Sequence, residues 1–385
     1  MTKNTVPLLD LTRQISALQS ELTAATTRVI SDAHFILGPE VAHFEEATAA
    51  YLGSRFALGV ASGTDAVWLA LRAAGVGPGD VVLTSPFTFF ATASAARSVG
   101  ARIILADIDP ETFNLDPAAV REVLEGKSSV CDRLKIRPEQ IKAILPVHLY
   151  GQPVDVPAFE ALAREYGLPL VEDAAQAIGS AFGDRRIGNS DHLVCFSFFP
   201  SKNLGAFGDG GLVSTNNEQY ADTLRLLRAH GSPRKYHHDV LGTNSRLDAL
   251  QAAILGVKLP HLDAWVQARR AHAVAYDEAF AETPLVTPPP VAANRKHCYH
   301  QYTVRVADGR RDALAAHLTA QSIGNAIYYP IPLHLQAALA DHGFAAGDYP
   351  VSEGAAAEAL SLPIFPELTT AERDRVIDAV REFVS

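Results

Sequence analysis

From about residue 56 to residue 215, short apolar runs alternate with stretches in which apolar residues recur at the helical period. That alternation is the pattern of a parallel sheet covered by helices. The runs FALGVA from Phe56, VVLTSP from Val81, RIILADI from Arg102, KAILPVHL from Lys142, LPLVEDA from Leu168 and LVCFSFF from Leu193 predict strands. Between them, TDAVWLALRAAG from Thr64, TASAARSVG from Thr92, AAVREVLEG from Ala118 and AFEALAREYG from Ala158 predict helices, each ended by a glycine suited to a left-handed cap. The expected class is α/β, with a three-layer α/β/α large domain whose mixed sheet is mostly parallel. The stretch GKSSVCDRLKIRPEQ, residues 126–140, breaks the alternation and is expected to be a surface insertion without an assigned role. After Leu250 a long helical pattern runs past Trp265 to Phe280, and Pro288 to Pro290 mark the connection into a smaller C-terminal α+β domain. The expected division is residues 1–255 and 256–385, the first including the N-terminal segment. No internal repeat or low-complexity tract is visible.

Composition narrows the partners. The 385 residues are 48% hydrophobic and 20% charged, as expected of a globular chain with a large core. Lys and Arg total 33 against 43 Asp and Glu, a net charge of −10, so the average surface would repel a nucleic-acid backbone. Cys131, Cys195 and Cys298 form no CxxC pair, which argues against a disulfide framework or a zinc site and for a reducing compartment. The N-terminal MTKNTVPLLDLTRQ has no continuous apolar core, and no run approaches the roughly 18 apolar residues of a membrane span. A soluble, cytoplasmic protein is expected.

The candidate chemistry gathers around FSFFPSKNLGAFGDGG, residues 196–211. An apolar strand stops at Pro200 and presents Lys202 in a loop whose glycines at 205, 208, 210 and 211 allow close backbone approach. Most lone lysines are solvated surface groups, but an amine at a buried pocket rim has a lowered pKa and can attack a carbonyl. As a nucleotide loop the stretch fits poorly, because it precedes the strand-like GGLVST rather than a helix. In VEDAAQ, Asp173 ends another apolar strand 29 residues before the lysine (202 − 173 = 29). It is either a helix cap or the carboxylate that pyridoxal phosphate needs beside its ring nitrogen. Ser62-Gly63-Thr64-Asp65 ends a strand and opens a helix, so its free amides suit a phosphate as well as an ordinary cap.

With these residues in place, the sequence resembles the DegT/StrS-type nucleotide-sugar aminotransferases, pyridoxal-phosphate enzymes of the aspartate-aminotransferase fold type. The likeness runs nearly end to end through PLLDL, ASGTDA, PFTFFATASA, PVHLYGQP, VEDAAQAIG, FSFFPSKNLGAFGDGG, LRAHG, NSRLDALQAAIL and YYPIPLHLQ. It implies that Lys202 bonds the cofactor as a Schiff base and acts as general acid and base. It further implies that Asp173 partners the ring nitrogen, that Gln176 lies beside the ring hydroxyl, and that Phe89 stacks on the ring, although Phe90 competes for that role and core packing is the alternative. Gly63, Thr64 and Ser197 match phosphate ligands. Asn244 matches a residue that reaches the phosphate in the neighbouring subunit, so a homodimer with shared sites is implied. A lysine rather than a histidine at 202 favours transamination over dehydration.

The implied reaction takes an amino group from L-glutamate, through pyridoxamine phosphate, to a nucleotide-linked 3-keto hexose of the UDP-3-keto-glucuronate or dTDP-3-keto-6-deoxyhexose type. A 4-keto sugar is the alternative. YYPIPLHLQ carries the preference for carbon 3, with His334, Tyr328 and Tyr329 expected as a polar wall if the prolines do more than end a strand. His148 and Tyr150 are either pocket residues or core groups. The Arg234-Lys235-Tyr236-His237-His238 run is either a solvated loop or a partner for a carboxylate or diphosphate. Two rivals fit less well: a pyridoxal-phosphate-binding regulator, which would need a basic DNA-binding extension, and a dehydrogenase, which would need GxGxxG at a strand-to-helix turn.

Overall fold

The computed structural model describes residues 5–234, 236–283 and 285–384. The first part of the chain forms α1 (Leu11–Asp32), α2 (Pro39–Leu52), β1 (Phe56–Val60), α3 (Gly63–Ala73), β2 (Val81–Thr84), α4 (Ala91–Ser98), β3 (Arg102–Leu105), α5 (Pro117–Leu124), α6 (Ser129–Leu134) and β4 (Ile141–Leu145). It continues through α7 (Val156–Tyr166), β5 (Val171–Asp173), the short β6 (Ala181–Phe182) and β7 (Arg185–Arg186), β8 (Leu193–Ser197), β9 (Gly211–Thr215), α8 (Glu218–Leu227), α9 (Ala249–Lys258) and α10 (Leu262–Phe280). All six expected strands and the four expected helices are present. Gly100 and Gly167, just past α4 and α7, take the left-handed φ values of 83° and 64° that end those helices.

The main sheet runs in the order β3-β2-β4-β5-β8-β9-β1, with β4 and β5 joined by parallel bridges at Ile144–Leu170 and Val147–Asp173. Only β9 is antiparallel to its neighbours, β8 and β1. Its strands are buried on both faces, which is why they read as unbroken apolar runs. Two contacts fix the layers. Cys195 donates its thiol to the Ala66 carbonyl of α3 at 3.4 Å, whereas the ring of Phe198 packs against Phe44 of α2 at 5.4 Å. Residues an odd number of positions apart on an extended strand face opposite sides. So α3, with α4 and α8 against it, covers one face, and α2, with α9 and α1, covers the other.

A second core forms around the sheet of β10 (Val286–Thr287), β12 (Tyr302–Val306) and β13 (Ala359–Leu362), with β11 (Arg295–Lys296) paired instead to β6. Helices α11 (Arg311–Ala320), α12 (Pro350–Glu358) and α13 (Thr370–Val384) complete this part. The cores meet along α10, where Leu262 and Val266 belong to the first and Ala273, Tyr276 and Phe280 to the second. Packing therefore changes within α10, later than residue 255, and Val6 packs with the C-terminal core through its bridge to Ile323.

The segment 126–140 is not the surface insertion expected. Ser128 caps α6 by accepting the Cys131 amide, and Val130, Cys131 and Ile136 are buried in the main core. Two buried side chains on this short helix and a third just beyond it are enough to dock the segment. No helix among the described residues is long and apolar enough to cross a membrane, and the three cysteines are free.

Candidate active site

Four chain segments meet at the carboxyl ends of the parallel strands, where ligand sites of open α/β sheets form. The β1–α3 turn supplies Gly63 and Thr64, β5 ends at Asp173, β8 ends at Ser197, and the loop beyond β8 carries Lys202. With Phe89 and Gln176, these residues line one pocket of about 530 Å³. Seven of the eight sequence-derived site residues thus come together. The eighth, Asn244, is exposed, pairs with Ala229 and does not line this pocket.

Lys202 is half-buried, and its amide donates to the Phe199 carbonyl at 2.8 Å. Burial pulls its amine down to about 8 against the opposing pull of Asp173. Asp173 is buried at 5% exposure. It accepts from the Thr92 hydroxyl at 2.7 Å and from the Ala175 amide at 3.1 Å. Gln176 accepts the Tyr150 amide at 2.6 Å, which turns its NH2 to donate to the Tyr329 hydroxyl at 3.0 Å.

The start of α3 is built for close approach. Ser62 caps the helix through the Asp65 amide at 3.1 Å, while the first amides of any helix have no partner within it. A Cβ on Gly63 would stand 2.5 Å from the Ser197 Cβ, so only glycine fits there. The choice between the two phenylalanines is made by packing. Phe90 packs against the main core, and Phe89 is 58% exposed, lies 6.0 Å from the Tyr329 ring and lines the pocket.

Packing decides the alternatives that the sequence left open. His148 is a buried core group: its Nδ1 accepts the Val154 amide at 3.1 Å, so its Nε2 donates to Glu172 at 2.6 Å. His192 binds the other oxygen of Glu172, and the two histidines hold that carboxyl well below its usual range despite burial. Tyr150 donates its hydroxyl to the Tyr328 carbonyl and is buried outside the pocket. His334 is turned away, bonded to Glu353 at 2.9 Å and packed edge-on against Tyr349, so the polar wall reduces to Tyr328 and Tyr329. Arg234 is exposed and outside the pocket, and Lys235 lies outside the described residues.

Sequence reading missed Arg269, His300 and Gln301, which also line the pocket. Arg269 left one trace. It occupies the apolar stripe of α10 formed by Leu262, Val266, Ala273, Tyr276 and Phe280, a position where an arginine is out of place unless its charge is used.

The profile of the DegT/DnrJ/EryC1/StrS aminotransferase family matches residues 16–381. The chain belongs to this family. A Geobacillus stearothermophilus relative named pleiotropic regulatory protein is 46% identical over 98% of each chain. A Streptomyces venezuelae relative named dTDP-3-amino-3,4,6-trideoxy-alpha-D-glucose transaminase is 42% identical over 98% of this chain and 96% of its own. The solved structure of S. venezuelae DesV in complex with a ketimine intermediate superposes with a TM-score of 0.93 at 42% identity, covering 99% of both chains.

The family is pyridoxal-phosphate dependent, and this aminotransferase uses that cofactor. The residues present fit it: Gly63 and Thr64 open α3 at the pocket wall beside Ser197, where free helix amides suit a phosphate, the exposed Phe89 face can cover a ring, and Asp173 and Lys202 supply the carboxylate and amine the chemistry requires.

Proposed function

We propose that this aminotransferase moves an amino group from L-glutamate to carbon 3 of a nucleotide-linked keto hexose. The observation that carries the reading is the half-buried Lys202 amine opening into the same pocket as the Asp173 carboxylate. The choice of carbon 3 is supported by the name of the Streptomyces relative.

In this reading Lys202 tethers the cofactor and, once released, takes up and returns a proton at the substrate carbon. An amine brought down to about 8 exchanges protons near neutral pH, as acid–base work requires. Asp173, positioned by the Thr92 hydroxyl and the Ala175 amide, would hold the ring nitrogen. Gly63, Thr64 and Ser197 hold the phosphate, Phe89 covers the ring, and Gln176, fixed by the Tyr150 amide, lies beside the ring hydroxyl. The cofactor supplies the electron sink for the substrate carbanion. Asn244 is assigned to the site of a second copy, making the active unit a homodimer with shared sites. Three free, buried cysteines support a cytoplasmic setting.

The test is incubation of the holoenzyme and L-glutamate with a panel of 3-keto and 4-keto nucleotide sugars, the aminated product being identified by mass and the amine located by NMR. Amination at carbon 3 is expected. Comparable efficiency at carbon 4 overturns the regiochemistry alone. The name of the Geobacillus relative favours a regulator as the second reading, and cofactor binding without turnover of any keto sugar would support it.

A further inference from the structure

The part of the pocket contributed by α10 and the segment before β12 has no assignment yet. Arg269 is 3% exposed. Its Nη1 donates to the carbonyls of Ile364 at 2.8 Å, Tyr299 at 3.0 Å and His300 at 3.4 Å. Among the described residues its Nε is buried without a partner, and its Nη2 donates to no acceptor and is not sealed from the pocket. Glu367 lies within electrostatic reach but forms no ion pair with it. A buried guanidinium neutralised only by backbone carbonyls is an unusual expense, because removing a charge from water costs several kcal/mol unless an opposite charge is found.

Its neighbours repeat the pattern. The buried polar atoms without a partner include His300 Nδ1 and Gln301 Oε1, and both residues line the same pocket. Their remaining polar atoms, His300 Nε2 and Gln301 Nε2, make no hydrogen bond among the described residues and stay open to it. Lys202 and Arg269 both act on His300, and with burial they keep its imidazole neutral. The cluster therefore presents one fixed positive charge flanked by neutral groups that can donate a hydrogen bond, next to the lysine proposed to move the proton.

We propose that Arg269, His300 and Gln301 form a carboxylate-binding subsite that seats the amino donor. The proposal rests on the amino-transfer reading above and adds to it which end of the substrate pair this wall recognises. A guanidinium edge and a neutral imidazole match the two oxygens of a carboxylate, while a sugar hydroxyl would leave the charge uncompensated. A donor held by its carboxylate beside Lys202 has its amine and α-carbon near the groups that act on them. A uronate sugar offers the same carboxylate chemistry, so the two half-reactions must be read separately.

In the donor half-reaction, the holoenzyme is mixed with L-glutamate without sugar and the change in cofactor absorbance is followed against concentration. Arg269→Gln is expected to raise the half-saturating glutamate concentration by at least about thirtyfold, the loss typical of a charged partner. In the sugar half-reaction, the amino form of the same variant is mixed with the keto sugar, and saturation is expected to stay within about threefold of wild type. A shift confined to the sugar half-reaction would overturn the donor assignment.

Because Arg269 also ties three carbonyls, that variant can fail to fold, and the wild-type enzyme supplies the second measurement. L-glutamate is compared with its α-amide and its γ-amide. One amide is expected to lose at least about thirtyfold in half-saturating concentration. Equal use of all three overturns the subsite while leaving amino transfer standing, whereas no spectral change with any amino acid overturns amino transfer itself.

Discussion

The Thr92 hydroxyl donates to the Asp173 carboxylate at 2.7 Å, joining the start of α4 to the end of β5 beneath the pocket. Thr88 lies 3.2 Å from the same hydroxyl and is oriented by it. Since Thr92 is buried and its donor is committed to a carboxylate, it is a positioning residue for Asp173. Thr92→Val keeps the shape and removes the bond. A hydrogen bond to a charged group contributes about 1.5–3 kcal/mol, so cofactor affinity or kcat is expected to fall about ten- to hundredfold. Thr92→Ser should restore most of it. A Val variant within twofold of wild type in both measurements would show that Asp173 needs no such support.

Lys202→Ala is expected to abolish turnover and the borohydride-sensitive colour of the bound cofactor, since it is the one lysine that lines the pocket among the described residues. Lys202→Arg should fail as well, because a guanidinium has too high a pKa to act as a nucleophile. Wild-type turnover in either variant sinks the assignment.

Lys202 also predicts a pH profile. Its amine is lowered from 10.5 to about 8, and burial favours the neutral form. Only the neutral amine attacks a carbonyl, so the rate at which cofactor-free protein captures pyridoxal phosphate should fall tenfold per unit below about pH 8 and level off above it. The sign follows from the direction of the shift: an exposed lysine would keep gaining reactivity up to about pH 10.4. Stopped-flow absorbance across this range decides, and a rate still climbing at pH 10 would refute a desolvated lysine.

Asn244 is exposed and absent from its own chain's pocket, so a second copy is expected to receive it. Mixing inactive Lys202→Ala and Asn244→Ala chains should produce hybrid dimers with one intact site and recovered activity, as two chains sharing a pocket across a closed two-fold interface require. Verified hybrids without recovery would confine Asn244 to a structural role.

Much of this site was legible before the fold was known because its signals are local. A strand that stops at Pro200, a glycine-rich loop holding Lys202, a carboxylate ending β5 and a turn opening α3 each depend on a few neighbouring residues, and the strand and helix periods are set over similarly short spans. Those features singled out Lys202, Asp173, Gly63 and Thr64, the family resemblance added Gln176 and Ser197, and all six line one pocket.

Tertiary structure decided what local pattern leaves open, namely which side chain faces what. Phe89 and Phe90 have the same chemistry, and only packing sends one to the pocket and the other to the core. His148 ends a strand at the right height for a pocket residue, but Glu172, on the neighbouring strand β5, claims its ring. His334 meets Glu353 instead of the substrate. Arg269, His300 and Gln301 converge on Lys202 from beyond residue 260, a grouping no period or motif encodes. A period records which face of its own element a residue occupies, whereas its neighbour across a pocket is set by how distant elements dock.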